Sequence, residues 1–376
     1  MKKLNVLSNN KDKRELDYGL LVSIIALLCC GFIMVSSASS YYALNSYGNS
    51  NELLFKQLTL GLIGVACMYI ISKVDYKIYK KLSYFAFIIS IALLVAVLIP
   101  NIGQERNGAT RWLGIGDLTF QPSEIVKITL VLAISTYLAK NHQKLTTIKG
   151  YLVPFAMIFL VVIIMFLQKH MSGTLVMLVA AGSIIFISGI KIKPIYLIVG
   201  AIIASCAIAL FLVTDGFRLE RITSFMNPEE DIKDGNWQAA QSLYAIGSGG
   251  VFGRGLGQSR QKYLWLPEAQ NDFIFSVLGE ELGFVGAAAV LALFMFFIYR
   301  GFKIAISCKD MYGCMIAGGI TSIFALQILV NIAVVTCSMP VTGMPLPFFS
   351  YGGTALFINL CAMGLLLSVS RNCKSE

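Results

Sequence analysis

A chain of 376 residues with 57% hydrophobic and 13% charged residues falls far outside the composition of soluble domains and reads as one integral membrane protein. The net charge of +10 would suggest nucleic acid on a soluble protein, but basic residues gather in the cytoplasmic loops of membrane proteins, so no nucleic-acid partner is expected. Nine cysteines in apolar runs or cytoplasmic segments offer no disulfide framework, and two histidines without CxxC or HExxH spacing offer no zinc site.

Residues 1–16 form a charged tail with no cleavable signal, because the apolar run after Asp17 is too long for one. Runs of span length follow at Tyr18–Ala38, Gln57–Ser72, Leu82–Pro100, Gln121–Ala139, Tyr151–Leu167, Ser172–Ile190, Ile195–Thr214, Asp272–Tyr299, Met311–Cys337 and Phe348–Ser370. The fold class expected is an all-α polytopic membrane protein of about ten transmembrane helices. A single membrane domain would cover 17–371, with a large extracytoplasmic loop at 214–272 between spans seven and eight and a short tail at 372–376. Most of the 30 lysines and arginines fall at one set of span ends, which places both termini in the cytoplasm and the long loop outside.

Between the third and fourth spans, Asn101–Phe120 carries Arg106, Arg111 and Trp112. Arg111-Trp112 suits either an interfacial anchor or a contact to a phosphate and a sugar ring. Gln121-Pro122-Ser123-Glu124 opens the fourth span, with proline at a favoured first-turn position. Glu124 and Lys127 stand at i, i+3 and can pair. Their pair is either an ion pair at the bilayer surface or the lining of a cavity, since ionisable groups at membrane depth are costly.

In the long loop, Pro228–Ile246 can form a helix with Trp237, Ala240, Tyr244 and Ala245 on one side, expected to lie flat on the membrane. The glycine run Gly247–Gly257 has the look of a phosphate cradle but lacks a preceding strand and a Walker lysine. Glycine backbone close to a bulky ligand is the expectation. Arg254, Arg260 and Lys262 suit an anionic head group, whether of a substrate or of a lipid. Asp272 suits a helix cap. With Glu268, Glu280 and Glu281 it also forms a carboxylate cluster at the membrane boundary, suited to general-base work on a hydroxyl. Ser338–Ser350, with Pro340, Pro345 and Pro347 and no charge, must be buried in protein or line a wet cavity.

Several of these stretches occur in a fixed order from Tyr18 to Ser370. They are Arg111-Trp112-Leu113, Gln121-Pro122-Ser123-Glu124 with Lys127, Ala245-Ile246-Gly247-Ser248-Gly249-Gly250, Gly255-Leu256-Gly257-Gln258-Ser259 and Leu266-Pro267-Glu268. Asp272-Phe273-Ile274-Phe275, Glu280-Glu281-Leu282-Gly283 and Pro345-Leu346-Pro347-Phe348-Phe349-Ser350-Tyr351-Gly352-Gly353-Thr354 complete the set. The ordered set resembles the SEDS family (shape, elongation, division and sporulation) of peptidoglycan glycosyltransferases, nearer its FtsW/SpoVE branch than RodA.

The resemblance implies an inverting enzyme that polymerises lipid II outside the cytoplasmic membrane, for septal or spore wall synthesis. Its implied partners are a class B penicillin-binding protein and divisome or sporulation membrane proteins. Asp272 would be the catalytic base and Glu124 with Lys127 the cavity pair. Arg111, Trp112, Gln121, Gln241, Ser259, Lys262 and Glu268 complete the residues expected around the substrate. No metal-ligand set is implied, although a divalent cation such as Mg2+ or Mn2+ is allowed at the leaving diphosphate. Asn271 departs from the family, where many members have Thr or Ser. Two rival readings stay open, a lipid II flippase and a noncatalytic division scaffold.

Overall fold

The structure, a computed structural model, describes residues 16–100, 102–106, 109–115, 118–146, 148–189 and 237–372. The predicted span Ile195–Thr214 lies outside them, as do residues 1–15 of the N-terminal tail. The other predicted spans are present as α1 (Tyr18–Tyr47), α2 (Glu52–Lys73), α3 (Tyr79–Ala96), α4 (Pro122–Lys140), α5 (Leu152–Leu167), α6 (Met171–Ile187), α8 (Ile274–Ser307), α9 (Met311–Val335) and α10 (Gly353–Asn372). Helix α7 (Trp237–Gly249) precedes α8. Seven of these helices are long and apolar enough to cross a bilayer, and α5 and α6 are shorter apolar helices. A helix pairs every backbone group within its own segment, which is what a solvent without hydrogen-bond partners demands.

Helices α4 and α9 lie mostly inside the bundle, whereas α2, α3 and α8 turn large apolar side chains such as Leu62, Phe85, Ile88 and Met295 outward. Asp17 caps α1 by accepting from the Leu20 N–H (2.8 Å) and pairs with Arg300 near the end of α8 (2.6 Å). Its own N–H donates to Ser370 near the end of α10, so those three ends share one face of the bundle. On the opposite face, the Gln57 amide donates to the Ser350 carbonyl (3.1 Å) and accepts from the Gly352 N–H (3.0 Å). That bond pair joins the first part of α2 to the start of α10.

The chain is not wholly helical. A three-stranded antiparallel sheet of β1 (Gly103–Arg106), β2 (Ala109–Ile115) and β3 (Leu118–Phe120) fills the loop before α4. Asn107-Gly108 between β1 and β2 is the dipeptide that favours a tight hairpin, so the signal was in the sequence. Helix α10 begins at Gly353 rather than Phe348, because Pro345 and Pro347 have no N–H to give and Phe348 takes a φ of 68°. Cys308 is disulfide-bonded, against expectation, since spacing along a chain does not show which distant cysteines meet.

Helix α7 does not simply lie on a membrane surface. Its Ser242 hydroxyl bonds Ser276 of α8 and the Val335 carbonyl of α9, both at 2.7 Å. Gln241, Ser242, Ala245 and Gly249 form its buried side and Tyr244 is exposed, so the predicted face is split. Two inward hydroxyl bonds outweigh the apolar stripe in setting its roll.

Helix α8 is broken at Gly283 (φ 66°, ψ −167°), and the glycine run fills the break. Arg254 and Gly255 N–H groups donate to the Glu280 and Glu281 carbonyls (3.0 and 2.9 Å). The Phe284 and Val285 N–H groups donate to Gly250 and Val251 (2.9 and 3.1 Å). The loop thus supplies the partners that the interrupted helix lacks. A Cβ on Gly253 would lie 2.2 Å from the Glu281 carbonyl oxygen, and one on Gly283 2.2 Å from the Gly253 nitrogen. Gly253 and Gly283 thus let backbone meet backbone. Gly253→Ala, at φ +80°, is expected to destabilise the fold by more than about 1 kcal/mol, read as a lower melting temperature in detergent.

Candidate active site

Asp272 lies just before α8 but does not cap it: the cap position is Phe273, and no side chain caps that end. Its segment is instead clamped from α9 and from the proline-broken stretch. The Asn331 amide donates to the Asp272 and Met344 carbonyls, both at 2.7 Å. The Ser350 hydroxyl donates to the Asn271 carbonyl (2.7 Å), and the Tyr351 N–H donates to Gln270 (2.9 Å). Ser350 Oγ also accepts from the Leu346 N–H (2.7 Å), so one hydroxyl ties both sides of the clamp. Phe348 stacks on Phe324 with ring centres 5.5 Å apart, which holds this wall to the core. Gly343, at φ +68°, backs the carboxylate; a Cβ there would stand 3.3 Å from Asp272 Oδ2.

A second wall comes from β2, α4 and the turn between α5 and α6. The Arg111 guanidinium donates to the Lys169 carbonyl. Lys127 Nζ lies 2.7 Å from Glu124 Oε2, and the two residues are only 4% and 7% exposed. Their sequence spacing thus yields an ion pair buried inside the bundle, not one at its surface. His170, also buried, has Nε2 3.5 Å from the Gln121 amide nitrogen.

Electrostatics link the two walls. Burial and then Glu268 push the Asp272 carboxyl up to about 7, while Arg111 opposes them. Burial, Arg111 and Lys127 push His170 down to about 3, so its ring is neutral at neutral pH. Arg111 therefore acts on both Asp272 and His170. A half-buried carboxyl held near 7 can exchange its proton at neutral pH. Glu268, in a left-handed backbone conformation, accepts from the Asn271 amide, which orients it one turn from Asp272.

Other expected site residues are engaged elsewhere. Glu280 accepts from the Ser259 hydroxyl and the Arg260 N–H, and Glu281 accepts from the Ser37 hydroxyl and the Ser259 N–H. Lys262 Nζ contacts Glu281 Oε1 (3.2 Å), the Gly257 carbonyl (2.6 Å) and Ser37 (3.1 Å). Glu280 and Glu281 thus anchor the glycine loop instead of joining Asp272 in one cluster. About eight residues of mostly helical chain separate them from it, on the order of 10 Å. Gln241 is buried on α7, and Arg254 reaches Glu280 at 3.7 Å. Trp112 sits opposite Gln104 in the ladder and, by strand alternation, points away from the Arg111 face. Among the described residues no three His, Cys, Asp or Glu side chains converge.

The family model of cell cycle proteins joining FtsW, RodA and SpoVE matches residues 19–375. Stage V sporulation protein E of Bacillus subtilis is 41% identical over 360 residues, covering 96% of this chain and 98% of the relative. The chain belongs to the FtsW/RodA/SpoVE family. A probable peptidoglycan glycosyltransferase FtsW of Trichlorobacter lovleyi is 36% identical over 96% of this chain and 94% of its own. Among solved structures, a chain from work titled "Structural coordination of polymerization and crosslinking by a peptidoglycan synthase complex" superposes with a TM-score of 0.80 at 28% identity. That match covers 96% of this chain and 99% of the other. The rod shape determining protein RodA of Thermus thermophilus superposes with a TM-score of 0.70 at 28% identity, over 96% and 98% of the two chains.

In this FtsW/RodA/SpoVE chain the geometry brings forward two residues that the motifs do not single out. By spacing, His170 bears only on a zinc site; the signal it does carry is that of an isolated polar residue between two apolar helices. Asn331 is, with Gln327, one of two amides in the apolar run of α9; a buried amide there must find partners, and Asn331 finds the backbone of Asp272.

Proposed function

We infer that the chain is a peptidoglycan glycosyltransferase that polymerises lipid II, with Asp272 as general base. The observation that carries this is a clamped carboxyl of raised pKa within electrostatic reach of Arg111. Asp272 takes the proton from the 4-hydroxyl of the acceptor sugar, whose oxygen attacks the donor's anomeric carbon. The bond to the diphosphate oxygen breaks with inversion, and polyprenyl diphosphate departs. That leaving group needs charge neutralisation more than a proton, and Arg111 and Lys127 are the cations on the second wall. Gln121 and Glu268 frame the same site.

Orientation belongs to the same proposal. The lysine and arginine bias puts the face that holds Asp17 and Arg300 in the cytoplasm, and Asp272 outside, where lipid-linked sugars are joined. The likeness to a chain of a peptidoglycan synthase complex supports a class B penicillin-binding protein as partner, with divisome or sporulation membrane proteins beyond it. The single domain over 17–371 and the loop at 214–272 remain part of this reading.

Purified protein, with and without its transpeptidase partner, is expected to convert lipid II to glycan strands. Movement of lipid II across vesicles with no glycan product would turn the reading to a flippase, and neither activity would turn it to a scaffold. Labelling of a cysteine placed at position 272 from the cytoplasmic side would reject the proposed orientation.

A further inference from the structure

The turn from α5 into α6 holds a feature that the reaction above leaves unused. Lys169, with φ 55°, reverses the chain, and the His170 N–H donates to the Met165 carbonyl (3.0 Å). The His170 ring packs on Gly173, where a Cβ would stand 2.6 Å from Cε1. In the tautomer in which ring Nε2 accepts from the Gln121 amide nitrogen 3.5 Å away, the proton of the neutral ring sits on Nδ1. Nδ1 is buried and has no partner. His170 occupies the cap position of α6, yet no side chain caps that helix, whose first-turn N–H groups carry the positive end of the helix dipole.

We propose that the His170 Nδ1–H, the uncapped first turn of α6 and Arg111 together form an oxyanion subsite that takes the diphosphate of the isoprenoid-linked donor. The proposal rests on the lipid II reading for the identity of its ligand. A buried donor without an acceptor is costly, and burial first, then Arg111 from β2 and Lys127 from α4, keep the ring neutral in surroundings that two cations reach. An anionic oxygen satisfies both deficits at once. Of the other groups around this wall, Glu124 is held by Lys127, Lys169 is exposed, and Asp272 and Glu268 stand on the other wall. A carboxylate brought to Nδ1 would oppose those two acids as a diphosphate does, but the uncapped N–H groups suit several phosphate oxygens at once.

The two histidines make the test direct, because His142→Gln leaves His170 as the sole imidazole. The full-length protein, labelled with 15N-histidine, is placed in phosphatidylcholine nanodiscs and followed by NMR. Farnesyl diphosphate is expected to shift the Nδ1–H signal of His170 saturably, and phosphatidylglycerol without farnesyl diphosphate is expected not to. His170→Asn, whose amide can replace Nδ1–H, should keep farnesyl diphosphate affinity within about threefold, while His170→Gln should lose about tenfold or more. An unmoved His170 signal, an equal shift with phosphatidylglycerol, or equal losses in the Asn and Gln variants would each overturn the subsite. If the wild type makes no glycan from lipid II but His170 still answers farnesyl diphosphate, the enzymatic reading falls and the subsite stands. Glycan synthesis with a silent His170 would remove the subsite and leave the enzyme.

Discussion

Asp272→Asn is expected to abolish glycan synthesis from lipid II while leaving a folded and slightly more stable protein at neutral pH. The change keeps the shape of the side chain and the bonds through its backbone carbonyl and Asn331, but removes the group that takes a proton. Loss of a positioned base costs roughly 10²–10⁴-fold in rate, and in a reaction with a weak sugar nucleophile the residual turnover should be undetectable. Stability should move the other way. The folded carboxyl titrates near 7 and the unfolded one near the ordinary value of 3.8. The native state therefore favours the protonated form, and its stability falls as pH rises from about 4 to about 7, staying low above that. An asparagine has no such dependence. Wild-type kcat/KM should accordingly rise with pH through about 7 and level off, while the melting temperature of Asp272→Asn in detergent stays flat over the same range. Retained polymerisation by the variant, or a wild-type rate indifferent to pH between about 5 and about 9, would remove Asp272 from the base role.

Lys262→Met should be the most destabilising single change in the long loop. Its ammonium is enclosed by Glu281, Ser37 and the Gly257 carbonyl, and both partners of the ion pair are buried. Deleting one member of such a pair leaves an uncompensated charge in a medium that solvates it poorly, a cost of about 3–5 kcal/mol. The double variant Lys262→Met/Glu281→Gln should recover most of that loss, since it removes both charges. Melting temperatures and membrane yields of the three variants check this. A Lys262→Met protein that melts like wild type but binds lipid II poorly would instead place the lysine at the substrate, as its neighbours in the sequence suggest.

Asp272 and Lys262 differ in how much of their setting the sequence carries. Asp272 could be singled out because a charged residue beside a long apolar run stands out against its surroundings, whatever the packing. The Glu124–Lys127 pair was legible for a similar reason: an i, i+3 spacing on one helix needs no knowledge of its neighbours. Lys262 and Glu281 carry the same kinds of charge at the same kind of boundary, yet they turn toward each other and Asp272 does not join them. Nothing in their local sequence distinguishes a lysine that waits for a phosphate from one that holds a loop in place.

Spans, their alternation across the bilayer, the break at the three prolines and the choice of Asp272 as candidate base follow from hydropathy, charge bias and local chemistry, which act within a few residues of the chain. The clamp of Asn331 on Asp272, the stitching of the glycine loop into the Gly283 break and the placement of His170 beside Gln121 and Arg111 required the folded molecule. The reason lies in the solvent. In a bilayer the face of a helix toward lipid and the face toward protein are both apolar, so the amphipathic stripe that shows which way a helix points in water is missing. Contacts between helices distant in sequence are then set by close packing and by buried polar groups finding partners, and those exist only once the bundle has assembled.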